Sequence, residues 1–421
     1  MPDQALSLTR RLFCAWPCVA ALPALAAAPG MVAGTGMADD VATYLGFGEH
    51  RAGMPSEVRT AGWMQERLAQ MGYQTEVQKF PIRTILNPGG HLVAAGTKTD
   101  LFPQWLPPTA SLGRTMDAPL QLLGAPAGPA SVRLVPKPVA ATGNWGPVQE
   151  ALVQEAVGKG AVGLVMAADV KAGDVYAYNQ HTVQTLPIPV ALLAQRALLA
   201  LVLAVERGNA NAQMALTGEL TDTQSLNVVA RKAGRGRMLV ISTPMTGWFH
   251  CGAERGPGVA MVLRIAAKLA QSERPVLVLC TGSHEIGHFG MAHALTSAAA
   301  PDPAEVAFWF HFGASLGATQ LDAQYGVTSP QFVVGTPASE AWVRPAMSPS
   351  MRGYANGNAK TPGEAGQIIG AGHQRFAGMI GTFPGFHTPA DRGEAIDYGQ
   401  LEKIAQASEA LIARMDTTML D

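Results

Sequence analysis

Between residues 226 and 311 the sequence alternates strands that are apolar along their whole length with amphipathic helices. Residues 226–231, 237–243, 275–281 and 306–311 read as strands. Residues 258–270 read as a helix with Val259, Val262, Leu263, Ala266 and Leu269 on one side, and 289–296 as a second helix. A strand without polar alternation has both faces covered, so this rhythm predicts an α/β fold: a central mixed, mostly parallel sheet flanked by helices. The C-terminal helix is equally clear. Asp397 caps it with Gln400 three residues on, and Leu401, Ile404, Ala405, Ser408, Leu411, Ile412 and Met415 keep the helical period.

Upstream, residues 41–82 read as helix, turn and strand. Ser56 is placed to cap a helix carrying Val58, Ala61, Met64, Leu68 and Met71, and Gly72 ends it. From 83 to 221 Pro and Gly become frequent and strands look short, with a helix and the buried strand 161–166 inside. This predicts an inserted β-rich lobe rather than a continuation of the main sheet. The expected organisation is therefore an α/β domain from 38–82 and 222–421, with an insert at 83–221.

Residues 1–28 read as a twin-arginine-like signal peptide. Thr9-Arg10-Arg11-Leu12-Phe13 precedes an apolar stretch ending in the small-residue sites Ala24-Leu25-Ala26 and Ala26-Ala27-Ala28. That predicts a periplasmic or secreted protein. The stretch is short and broken by Pro17 and Pro23, so no stable membrane span is expected. A formal net charge of −1, with no long charged run, argues against nucleic acid or an anionic membrane as partner. Cys14 and Cys18 fall in the signal, which leaves Cys251 and Cys280 to be read as buried thiols rather than a disulfide framework.

Several stretches carry a family resemblance. Residues 47–55 (Phe-Gly-Glu-His-Arg-Ala-Gly-Met-Pro), 225–230 (Ser-Leu-Asn-Val-Val-Ala) and 386–391 (Phe-His-Thr-Pro-Ala-Asp) are similar to segments of the zinc-dependent exopeptidases. That family includes leucyl aminopeptidases, glutamate carboxypeptidase and the non-catalytic transferrin receptor. Residues 158–163 and 188–190 resemble its protease-associated insert. The resemblance implies an amide- or peptide-bond hydrolase acting on a peptide or acyl-amino-acid small molecule, with metal ligands on loops at the carboxyl ends of the strands.

The active-site positions depart from the family pattern. The first ligand motif, His-x-Asp, is replaced by Pro244-Met245-Thr246. The bridging Asp-Asn becomes Glu254-Arg255, the Glu-Glu pair becomes His284-Glu285, a later ligand Asp becomes His311, and the final His is kept as His387. The resemblance thus leaves Glu254, Glu285 and His387, with His311 as a fourth, as ligands for one zinc ion instead of two. His284 takes the place of the general base, and Arg255 would stabilise the oxyanion or replace the missing charge. The alternative is a non-catalytic binding protein that keeps the fold without any cofactor, with Arg255 in the metal's space.

Residues 284–288 also spell His-Glu-x-x-His. A zinc site of that type needs a helix, so that both imidazoles share one face. Here Gly282 and Gly287 flank and interrupt it just after an apolar strand. The match is therefore read as accidental, with His284 and Glu285 keeping separate roles. Ser242, Thr243, Thr246 and Ser283 near the same strand ends offer a nucleophile but lack a Gly-x-Ser-x-Gly elbow, and read as turn residues.

Overall fold

A computed structural model describes residues 36–418 apart from 129, 181–183, 209–210, 299, 323–325, 329–330 and 349. The signal segment 1–28 and His181 lie outside the described residues.

Among the described residues the fold is α/β, built on a 13-stranded sheet. Its order is Gln74–Ala94, Thr97–Pro103, Val190–Leu193, Ala161–Met166, Ser131–Leu134, Thr115–Leu122, Asn211–Lys232, Val276–Thr281, Met238–Pro244, Val306–Ala314, Phe376–Gly381, Gln331–Gly335, Gly353–Asn356. The strands Val276–Thr281, Met238–Pro244, Val306–Ala314 and Phe376–Gly381 run parallel, with antiparallel neighbours on both sides. Every residue of Val276–Thr281 and Val306–Ala314 is buried, as their continuous apolar sequences require. The helix Gly256–Leu269 covers this sheet. Met37, Val41 and Tyr44 of the helix Met37–Gly46 belong to the same core cluster as its apolar residues.

The segment 83–221 is joined to the main sheet by two long strands, not by linkers. Gln74–Ala94 and Asn211–Lys232 pair antiparallel along most of their lengths and pass straight through positions 82–83 and 221–222. Gln74–Ala94 also pairs with Thr97–Pro103, and Asn211–Lys232 with Thr115–Leu122, so the strands of this segment close into a ring. The segment also holds two helices, Pro147–Gly158 and Gln195–Glu206, more helix than a β-rich reading anticipates.

Ser56 does not cap its helix. The helix begins at Pro55, whose missing N–H suits a first turn, and Met54 is the cap residue. Ser56 Oγ instead donates to the Glu49 carbonyl. The helix Met37–Gly46 and the edge made by residues 331–356 are additions that the sequence reading did not contain. Among the described residues no helix is long and apolar enough to cross a membrane.

Candidate active site

The parallel strands deliver their carboxyl ends to one side of the sheet, where open α/β sheets bind ligands. The loop after Pro244 carries Thr246, Glu254 and Arg255. It is pinned by Met245 N–H donating to Thr281 O (2.7 Å), and by the buried Asp391 carboxylate, which accepts from Ala253 N–H (2.6 Å) and Glu254 N–H (3.0 Å). The loop after Thr281 carries His284 and Glu285. The strand Val306–Ala314 contributes His311, and the loop after Gly381 contributes His387.

Arg255 is 1% exposed and sits at the N-terminal cap of the helix Gly256–Leu269. The helix dipole disfavours a cation there, so its charge needs a local partner. That partner is Glu254, equally buried, with Oε1 2.8 Å from Arg255 Nη2. Arg255 Nε donates to the Thr246 carbonyl at 3.0 Å. His387 Nδ1 is 2.9 Å from the Ala177 carbonyl, and its Nε2 stands 3.3 Å from the same Glu254 Oε1. Burial pushes the Glu254 carboxyl up, but Arg255 and then His387 outweigh it and hold the group at about 2. Glu254 is therefore ionised at neutral pH.

Glu285 is turned to a different task. Its Oε1 accepts from Ala52 N–H (2.6 Å) and its Oε2 from Thr246 Oγ1 (2.8 Å), while Thr246 Oγ1 accepts from His284 N–H (3.0 Å). One carboxylate oxygen thus ties the loop to Ala52 near the start of the domain and the other ties it to the neighbouring Thr246 loop. Burial raises the Glu285 carboxyl, opposed by these bonds and by Arg255.

His284 faces a residue the sequence reading missed. Its Nδ1 lies 3.2 Å from Oε1 of Glu364, whose side chain is fully buried. Thr281 Oγ1 contacts both Glu364 oxygens at 2.8 and 2.9 Å, and His311 Nε2 lies 3.9 Å from Oε2. His311 Nδ1 is 2.9 Å from Ser242 Oγ, which accepts from Trp309 Nε1 at 2.8 Å. Burial lowers His284 well below the ordinary imidazole value, and the Arg255 charge adds to the effect. His311 is lowered to about 4, again chiefly by burial. Both rings are neutral at pH 7.

Residues 284–288 form turns, not a helix. His288 has φ 52° and precedes the helix Phe289–Thr296, with its ring edge-on to that of His284 (centroids 4.5 Å apart). The two imidazoles therefore do not share a helical face, which agrees with reading the motif match as accidental. Gly290 lets that helix press on the loop, because a Cβ there would lie 2.3 Å from the Gly282 carbonyl oxygen.

A cavity of about 360 Å³ opens over these groups, lined by Arg255, His284, His288, His311, Glu364 and His387. Met379, Ile380 and Phe386 add apolar wall, and Asn144 and Asn179 add polar groups. This is the size and mixture of a small-molecule site. Neither Glu254 nor Glu285 is part of the lining.

The ligand set expected for zinc does not assemble here. Among the described residues no three His, Cys, Asp or Glu side chains are grouped so that they could hold a metal ion. Glu254 and His387 meet, but Arg255 stands against the oxygen they would share with a metal. Glu285 is occupied by Ala52 and Thr246, and His311 turns to Ser242 and Glu364. The four residues are thus split among three networks, and the resident cation is a guanidinium.

No family profile matches the sequence, and no curated protein matches it. Solved structures do match. The zinc aminopeptidase BSAP from Bacillus subtilis is similar with a TM-score of 0.69 and 16% identity, over 90% of this chain and 94% of that one. A peptidase M28 precursor from Shewanella amazonensis gives 0.68 and 16%, over 91% and 94%. An aminopeptidase from Aneurinibacillus sp. strain AM-1 gives 0.64 and 16%, over 90% and 93%. This chain shares the zinc-aminopeptidase fold. At such identity the likeness speaks for the architecture, and the chemistry must be argued from the site itself.

Proposed function

We propose that the protein is a hydrolase of an amide or peptide bond in a small peptide or acyl-amino acid, and that Arg255 supplies the positive charge of the site. The observation that carries this reading is that Arg255, paired with the buried Glu254, and the neutral imidazole of His284 line the same cavity. Arg255 Nη1 is buried with no hydrogen-bond partner among the described residues. It is a donor available to a carbonyl oxygen that becomes negative, as oxyanion stabilisation requires. The zinc aminopeptidases that share the fold support a peptide-like substrate. The single-zinc arrangement is set aside because its donors are divided as described.

In this mechanism His284 Nε2 takes a proton from water as the water oxygen bonds to the substrate carbonyl carbon. Arg255 faces the resulting oxyanion. The proton then passes from His284 to the leaving nitrogen as the C–N bond breaks, giving a carboxylic acid and an amine. Glu254 keeps Arg255 in place and Glu285 keeps the His284 loop in place.

A second reading is favoured by one feature. Glu254 already neutralises much of the Arg255 charge, which suits a binding protein that holds a ligand without turning it over. The expected result on aminoacyl anilides and N-acyl-amino acids is turnover by the mature protein in the presence of a chelator. Saturable binding of the same compounds with no product would support the binding protein instead. The twin-arginine-like leader would place either activity outside the cytoplasm, which fractionation of the expressing cells would test.

A further inference from the structure

We infer that Glu364 is the positioning residue of this site: it holds the proton of His284 on Nδ1 and so turns a bare Nε2 toward the substrate cavity. The inference rests on the hydrolase reading and adds a residue to it.

Trp309 Nε1 can only donate, and it donates to Ser242 Oγ (2.8 Å). Ser242 then directs its own hydrogen to its other neighbour, His311 Nδ1, at 2.9 Å. A neutral imidazole that accepts on Nδ1 carries its hydrogen on Nε2, and His311 Nε2 faces Glu364 Oε2 at 3.9 Å, a polar contact longer than a hydrogen bond. Thr281 Oγ1, 2.8 and 2.9 Å from the two oxygens, is a further donor to the same carboxylate. Burial raises the Glu364 carboxyl, opposed by His311, the Thr281 hydrogen bond and Arg255; as a carboxylate Glu364 can only accept. At 3.2 Å from Glu364 Oε1, His284 Nδ1 is the second donor within hydrogen-bond reach of that carboxylate, after Thr281. In a neutral ring this leaves Nε2 as the acceptor. His284 lines the cavity, and among the described residues its Nε2 makes no hydrogen bond.

The arrangement is built, not incidental. Glu364 opens the short helix Glu364–Gly370, and its side chain is fully buried against Thr281 at the end of the central strand. The His284 backbone is fixed independently through Thr246. One end of the ring is therefore set by its own loop and the other by Glu364, which leaves a single orientation for Nε2. Glu364 borders the cavity, but its side chain is fully buried, so it acts through His284.

The test has two readouts. In protein labelled with 15N-histidine, with the His284 signals assigned by their loss in His284→Gln, long-range proton–nitrogen spectra report the tautomer directly. The expected wild-type result is a protonated Nδ1 and a bare Nε2. Glu364→Gln is expected to lose that fixed tautomer and to lower kcat by about 10²–10⁴-fold, the range of a general base, with KM changed by less than about threefold. Glu364→Asp is expected to recover part of the rate. A wild-type His284 with its proton on Nε2, or a Glu364→Gln enzyme with unchanged kcat, overturns the inference. The wild-type spectrum decides the point even if the variants do not fold. If the wild type shows the expected tautomer but turns over no substrate, the hydrolase reading fails while the Glu364–His284 pairing stands.

Discussion

Arg255→Met is expected to cost about 3–5 kcal/mol of unfolding free energy at pH 7, the usual result of removing one partner of a buried ion pair. The reason lies in what is left behind. Glu254 is 1% exposed, and without Arg255 its nearest cationic partner among the described residues is His387 Nε2 at 3.3 Å. Removing both charges should hurt less than removing one, so Glu254→Gln combined with Arg255→Met is expected to regain much of the loss. The pH dependence has a definite sign. Glu254 has its folded value depressed from 4.5 to about 2, worth about 3 kcal/mol at roughly 1.4 kcal/mol per unit. That stabilisation is fully present above pH 4.5 and is lost as pH falls toward 2. The gap between wild type and Arg255→Met should therefore narrow below pH 4.5. Urea unfolding at several pH values measures it, and a gap that is small and flat with pH would mean that Arg255 does not carry the buried charge balance.

His284→Ala is expected to lower kcat by about 10²–10⁴-fold, the contribution typical of a positioned general base. KM should move little, because the ring acts on water and not on the substrate's side chain. The base works only unprotonated, and burial followed by the Arg255 charge lowers His284 well below its ordinary 6.5. The acid limb of the wild-type kcat profile should accordingly lie below pH 6.5, and the residual activity of His284→Ala should lack that limb. The stability of the variant is a control: the ring is not part of a core cluster, and the loop is held by Glu285 and Thr246. A His284→Ala enzyme with wild-type kcat would remove His284 from the chemistry.

The α/β architecture was legible because fully apolar strands admit only a sheet covered on both faces, and Val276–Thr281 and Val306–Ala314 are that case. The C-terminal helix was legible down to its cap, with Gln400 N–H donating to Asp397 Oδ1 at 3.0 Å. The joint between the main sheet and the segment 83–221 was not. Two strands long enough to serve both parts leave no break in composition at the crossing. In the site, Arg255, His284, His311 and His387, all singled out in the sequence, line one cavity, with Glu254 paired to Arg255. Chain order gave no way to see that Glu285 would be claimed by the Ala52 N–H from 233 residues away. Glu364 was invisible for a similar reason. It sits after Pro362-Gly363 in a stretch without strand rhythm, 80 residues from the histidine it faces. The one available signal was its charge at the start of a short helix, which by itself marks many surface residues.

A guanidinium, not a metal ion, is the cation proposed for this pocket. Elemental analysis tests it most directly, on mature protein purified without an affinity tag, incubated with excess zinc and then freed of unbound metal. The expected result is no stoichiometric zinc and no change in activity after chelation. About one zinc per chain, the amount that one closed set of ligands holds, lost in Glu254→Gln or His387→Ala, would contradict it.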